Sequence, residues 1–177
     1  MSTLVVYASK HGATQGIAER IASTLNDAGQ EAKARPVGDA GDLSYYDAFV
    51  VGSAVYAAHW QKEASAFVQR NRVVLASKPV WLFSSGPLGT EATDAQGREL
   101  IATAEPKEMA EFEGSIGPKG HRVFFGALDP DTLGFSERAI RKLPAAHTML
   151  PEGDFRDWTE IDAWASAIAN DLAENTN

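Results

Sequence analysis

The sequence predicts an α/β fold: a three-layer sandwich with a five-stranded parallel sheet at its centre. Two observations carry that expectation. Short β-branched runs that are apolar on both faces alternate along the chain with longer stretches of helical period. Strands of that kind need cover on both sides, which parallel sheets obtain from their crossover helices. The other is size: 177 residues can bury a sizeable core and fit the roughly 100–200 residues of one domain. The expected organisation is one domain over residues 1–177.

Thr3 to Ala8 reads as the first buried strand. Thr14 to Ala28 follows as a helix, with Ile17, Ile21 and Leu25 four apart, Ala18 and Ala22 beside them, and Gly29 as its stop signal. Glu31 to Val37 is a more polar second strand, Ala48 to Ser53 a third and Pro79 to Ser84 a fourth. Between the last two, Glu63 to Asn71 carries Ala64, Phe67 and Val68 on one helical face. A polar stretch punctuated by Gly and Pro runs from about Gly86 to Gly120. Arg122 to Ala127 is the fifth strand, Ser136 to Leu143 a short helix, and the last helix begins near Asp157, where Asp157 and Glu160 have capping-box spacing. Its apolar stripe is Ile161, Trp164, Ala165, Ile168 and Leu172, and Ala173 to Asn177 is expected to fray.

Composition narrows the function. Sixteen basic against 24 acidic residues give a net charge of −8, which argues against a nucleic-acid footprint and a polybasic membrane anchor. The absence of cysteine excludes disulfides, thiolate-bound metals and cysteine nucleophiles. No apolar run approaches the ~18 residues of a membrane span. Met1 to Tyr7 shows no basic n-region or cleavage-like site. The expected class is a cytoplasmic protein without an integral membrane segment.

In an open parallel sheet, ligands bind beyond the carboxyl ends of the strands. That rule selects four loops: 9–14, 53–60, 84–89 and 127–134. The first, Ser9-Lys10-His11-Gly12-Ala13-Thr14, offers hydroxyls, a glycine and a helix N-terminus, a combination suited to a phosphate dianion. It lacks Gly-x-Gly-x-x-Gly and a Walker motif, so a single phosphate fits better than a dinucleotide or ATP. In isolation it is equally an ordinary capped turn. The second, Ser53-Ala54-Val55-Tyr56-Ala57-Ala58-His59-Trp60, places aromatics and a histidine after the third strand, which suits a flat heterocycle; packing of Tyr56 and Trp60 over the sheet end is the plainer alternative. The third, Ser84-Ser85-Gly86-Pro87-Leu88-Gly89, lets backbone approach a ligand closely or is simply a turn. The signal is the joint placement of three such loops at one crevice. His59 is the candidate for proton transfer, against a histidine bonded to loop backbone or facing solvent. His11, His121 and His147 show no metal-ligand spacing and read as surface residues.

These residues resemble the flavodoxin family. Ser9, Gly12 and Thr14 match its phosphate loop, hydroxyl-x-hydroxyl-Gly-x-Thr, with His11 in place of the middle hydroxyl. The resemblance is greatest to the flavodoxin-type, menaquinone-dependent protoporphyrinogen dehydrogenases, on residues 52–60, Gly126-Ala127-Leu128 and residues 157–169. It implies strand order 2-1-3-4-5 and an FMN cofactor, with the phosphate on residues 9–14 and the ring bracketed by residues 53–60 and 84–89. It also implies a redox partner protein, or a quinone or tetrapyrrole-like small molecule. The chain departs from that branch in charge, since the segment before the fifth strand carries Glu91, Asp94, Glu105, Glu108, Glu111 and Glu113. Two functions therefore stand side by side. One is an FMN-dependent oxidoreductase, favoured by the extra chain of 86–120. The other is an electron carrier between proteins, favoured by acidity. A receiver domain would need an aspartate pair where the chain has Ser9-Lys10-His11.

Overall fold

The computed structural model describes residues 1–89, 99, 101, 104–133 and 151–175. Strand β1 (Ser2–Ala8) leads into helix α1 (Ala13–Asp27), β2 (Glu31–Pro36) and β3 (Ala48–Tyr56). A short β4 (His59–Trp60) is followed by α2 (Lys62–Arg70), α3 (Arg72–Ala76) and β5 (Val80–Ser85). Then come α4 (Met109–Ile116), β6 (Gly120–Phe124), β7 (Ala127–Leu128), β8 (Gly153–Asp154) and α5 (Trp158–Glu174). The five long strands pair in parallel in the order β2-β1-β3-β5-β6, which is the expected 2-1-3-4-5 counted over those strands alone. The expected helix at Ser136–Leu143 lies outside the described residues.

Strand alternation sends side chains to two apolar layers. On one face Val5, Val50, Trp81 and Phe83 pack with Ile17, Ile21 and Leu25 of α1 and Ile161, Ile168 and Leu172 of α5. On the other, Leu4, Val6, Phe49, Val51 and Leu82 meet Phe67 of α2, Leu75 of α3 and Phe112 and Ile116 of α4. The Asp157 carboxylate accepts from the amides of Thr159 and Glu160, as its spacing predicts. Glu160 does not close the box; it pairs with Arg122 at 2.7 Å. Helix α5 continues to Glu174, past the expected fraying point, because Leu172 is fully buried.

Two further expectations change. The third strand runs on to Tyr56 and turns back through β4, so the loop of 53–60 is largely a hairpin. The fifth strand ends at Phe124 rather than Ala127, because the Gly126 amide leaves the ladder and donates to the Pro87 carbonyl. Helix α4 sits in the polar stretch of 86–120, to which the sequence assigned no element, and its Met109, Phe112 and Ile116 fall on one buried face. Among the described residues no helix is long and apolar enough to cross a membrane.

Candidate functional site

The carboxyl ends of β1, β3 and β5 open onto a cavity of about 290 Å³, near the lower end of the ~300–1,000 Å³ typical of small-ligand pockets. One end belongs to the loop after β1. Gly12 takes φ +86°, which L side chains rarely adopt, and its amide donates to the Ser9 hydroxyl oxygen at 3.0 Å. The first helical bond runs from the Gly16 amide to the Gly12 carbonyl. The amides of residues 13 to 15 therefore have no acceptor within the helix, and no side chain caps it. Beside them Thr14 is 1% exposed, and its Oγ1 has no hydrogen-bond partner among the described residues. A buried hydroxyl without a partner costs on the order of 1–3 kcal/mol. A phosphate oxygen would satisfy the hydroxyl and the amides together, and the helix dipole favours the charge.

The second wall is the end of β3 and its hairpin. Tyr56 pairs with His59, so the connection is the two residues Ala57 and Ala58. Both have positive φ, 50° and 63°, as a type I′ turn requires; that turn normally takes Asn-Gly because a Cβ is strained there. Ala58→Gly is expected to stabilise the fold by about 0.5–1 kcal/mol, read from urea unfolding; an unchanged or lower midpoint would contradict the strain. The strained tip is fastened from outside. The Lys107 amide donates to the Ala58 carbonyl at 3.0 Å. Glu108 takes His59 Nδ1 at 2.8 Å and the Trp60 amide at 3.2 Å. Burial pushes the Glu108 carboxyl up, but hydrogen bonds from His59, its own backbone and Trp60, with the His59 charge, hold it below the usual range. Tyr56 is half exposed at the mouth, with Lys10 Nζ 5.7 Å from its ring centre.

The remaining walls come from Ser85 at the end of β5 with Gly86 and Leu88 after it, and from Gly126, Ala127, Leu128 and Leu133 after β6. The last group is tied to the loop after β1 in two ways. His11 Nδ1 donates to the Thr132 carbonyl at 3.1 Å. Strand β7 pairs with β8, and just beyond β8 Arg156 donates to the Ala13 carbonyl at 3.2 Å. Arg156 is bidentate on Asp154, each bond 2.7 Å; that bonding holds the Asp154 carboxyl below its ordinary range. Its guanidinium also stacks 4.4 Å over Trp158. Gly16 makes room for it, since a Cβ there would lie 2.5 Å from Arg156 Nη1.

Of the residues expected at the site, Ser9, Lys10, His11, Ala13, Thr14, Ala54, Val55, Tyr56, Ala57, Ser85, Gly86 and Leu88 line the cavity. Gly12 shapes its loop without lining it. The others do not line it either, for reasons of strand parity and prior engagement. Ser53 and Ser84 are fully buried; Ser53 Oγ donates to the Ala54 carbonyl and accepts from the Gln61 amide. Trp60, 3% exposed, packs on Phe112 at 5.2 Å and donates Nε1–H to Ser84 Oγ at 2.8 Å. It belongs to the core rather than to a ring site. The Pro87 carbonyl holds Gly126, the Ala58 carbonyl holds Lys107, and Gly89 takes φ +108° beyond the lining. His59, the candidate for proton transfer, is bound to Glu108 and does not line the cavity. His121 is not a surface residue: it accepts from Ser84 Oγ at Nε2, 2.8 Å away, and burial pushes its imidazole down to about 4.

Sequence reasoning left four lining residues unassigned: Gly126, Ala127, Leu128 and Leu133. The rule that selected the loop of 127–134 pointed at the last three, while Gly126 was assigned to the fifth strand; none carries a polar side chain to mark a site.

Comparison with known proteins agrees with this geometry. A family model described as "Flavodoxin domain" matches residues 4–150. The chain is 23% identical over 181 residues to the protoporphyrinogen IX dehydrogenase [quinone] of Escherichia coli K12, covering 96% of both. Among solved structures it is similar to an archaeal flavodoxin, with TM-score 0.60, 17% identity and coverage of 98% and 99%. It is also similar to oxidised flavodoxin 2 of Bacillus cereus, with TM-score 0.58, 22% identity and 99% of each chain covered. With the model matched over most of its length and a cavity that offers a phosphate its unsatisfied donors, the chain belongs to the flavodoxin domain family, a redox fold whose cofactor is FMN.

Proposed function

We propose that the protein is an FMN-dependent oxidoreductase that passes electrons from a reduced, porphyrinogen-like substrate to a quinone-type acceptor. The observation that carries this reading is the chain between β5 and β6. Its residues 104–116 pack directly on the hairpin beside the cavity, through Lys107, Glu108 and Phe112. Chain added there offers a substrate-facing surface beside the flavin site, outside the cavity lining itself. The end-to-end similarity to a quinone-dependent dehydrogenase supports the same reading.

Bound FMN supplies the electron-transfer chemistry at its ring. The chain's own residues bind and orient it. Thr14 Oγ1 and the amides of 13–15 hold the phosphate, and Ala54 to Ala57 with Ser85 and Gly86 flank the ring. Val55, Leu88, Leu128 and Leu133 keep water from it. Thr14→Val conserves shape and removes one charge-assisted bond worth ~1.5–3 kcal/mol. FMN affinity is expected to fall about tenfold or more, with riboflavin affinity unchanged. Equal affinity for FMN in both proteins would take the phosphate away from Thr14.

The activity is tested anaerobically with FMN-loaded protein, protoporphyrinogen IX and a menaquinone analogue. Porphyrin fluorescence should rise only with protein and quinone both present, three quinones being consumed for the six electrons released. The net charge of −8 favours a second reading, a carrier that docks on basic partners by complementary charge. No quinone-dependent porphyrin formation, together with salt-sensitive reduction by a basic flavoprotein reductase, would establish that one.

A further inference from the structure

We propose that Glu108 is a positioning residue for the flavin site: it holds the Ala57–Ala58 tip of the β3–β4 hairpin in a strained conformation that lines the cavity. The inference rests on FMN being the ligand. Three observations meet at this tip. First, two consecutive alanines have positive φ, a conformation a free Ala-Ala turn leaves readily because each Cβ meets its own carbonyl. Second, the flanking residues are tied to one carboxylate. Glu108 Oε1 lies 2.8 Å from His59 Nδ1, and Oε2 accepts the Trp60 amide at 3.2 Å. The Lys107 amide, next in the chain, holds the Ala58 carbonyl. Third, the side chain that does this is protected: that of Glu108 is 16% exposed, against 52% for His59, so water competes weakly for the bonds.

The tip matters because Tyr56 and Ala57 line the cavity while Ala58, His59 and Glu108 do not. Glu108 therefore acts on the ligand only through backbone position. Preorganisation of this kind adds affinity by removing the cost of ordering the turn when the ligand arrives. It also assigns His59 a use: its ring is a donor to the clasp, outside the reaction.

The test compares flavin affinity in wild type, Glu108→Ala, Ala58→Gly and the double variant, titrating with FMN and with riboflavin. Glu108→Ala should weaken both flavins about tenfold, because the tip is assigned to the ring, which FMN and riboflavin share. Ala58→Gly relieves the strain without touching the lining, so in the double variant affinity should return to within about threefold of wild type. A structural role for Glu108 unconnected with the turn would show no such rescue. Glu108→Gln, which keeps one acceptor oxygen, serves if the alanine variant does not fold, and should fall between the two.

Unchanged affinity in both the alanine and the glutamine variants overturns the proposal. So does a loss confined to FMN, or a loss that Ala58→Gly leaves in place. If wild type binds neither flavin, the FMN reading fails by itself, and amide exchange in the flavin-free protein still decides the matter. The Lys107 amide should exchange about tenfold faster in Glu108→Ala and recover in the double variant; identical exchange in all four proteins overturns the proposal.

Discussion

Gly52→Ala is expected to destabilise the protein by about 3 kcal/mol or more, enough to halt folding in a domain of ordinary stability. Gly52 lies in β3 opposite Phe83 of β5, and a Cβ on Gly52 would overlap the Phe83 ring. The ring has nowhere to go. Phe83 is fully buried, with Phe124 at 6.3 Å and Trp164 at 6.4 Å edge-on or tilted around it. Urea unfolding gives the measurement. Phe83→Leu in the same chain should recover part of the loss, since the two residues compete for one volume. A Gly52→Ala midpoint within experimental error of wild type would mean the layer between β5 and α5 yields more readily than its packing indicates.

Acid should weaken the fold through His121. In the unfolded chain its ring takes a proton below its ordinary 6.5, but in the folded chain only near 4, because burial disfavours the charged form. Between those values the unfolded state binds the extra proton, so stability is complete above about pH 6.5 and falls as pH drops toward 4. The loss from this one group amounts to roughly 3 kcal/mol. Protonation would also break the line in which Trp60 Nε1 donates to Ser84 Oγ and Ser84 donates to His121 Nε2. His121→Gln keeps an acceptor for Ser84 and removes the titration. Its stability should decline less than that of wild type between pH 7 and pH 4, the curves converging at the acid end. Parallel curves would show that His121 titrates alike in the folded and unfolded chains.

The apolar periodicity of the sequence determines the layers. Runs such as Leu4 to Ala8 and Ala48 to Val51 are apolar on both faces and so had to become interior strands. The stripes Ile17-Ile21-Leu25 and Ile161-Ala165-Ile168-Leu172 had to become helices lying on them. The turn proposed to hold the phosphate was equally legible, because it is built from consecutive residues. Gly12 and Thr14 are two apart in the chain, and the positive φ of one and the burial of the other go with the start of α1.

The tertiary structure decided everything that depends on residues distant in sequence. Trp60 and His59 stand in a loop-like stretch beside candidate ring contacts, yet a type I′ turn at Ala57–Ala58, which an Ala-Ala pair does not announce, folds that stretch back. Trp60 then enters the core against Phe112, and His59 turns to Glu108. Glu108 is one of several acidic residues in a polar segment until α4 sets it beside the hairpin. Gly126, Leu128 and Leu133 become a cavity wall only because β7 pairs with β8 and because His11 and Arg156 bind that wall to the loop after β1. Local periodicity records which face of an element is buried, but not which distant side chain meets it; that pairing is fixed only when the layers close.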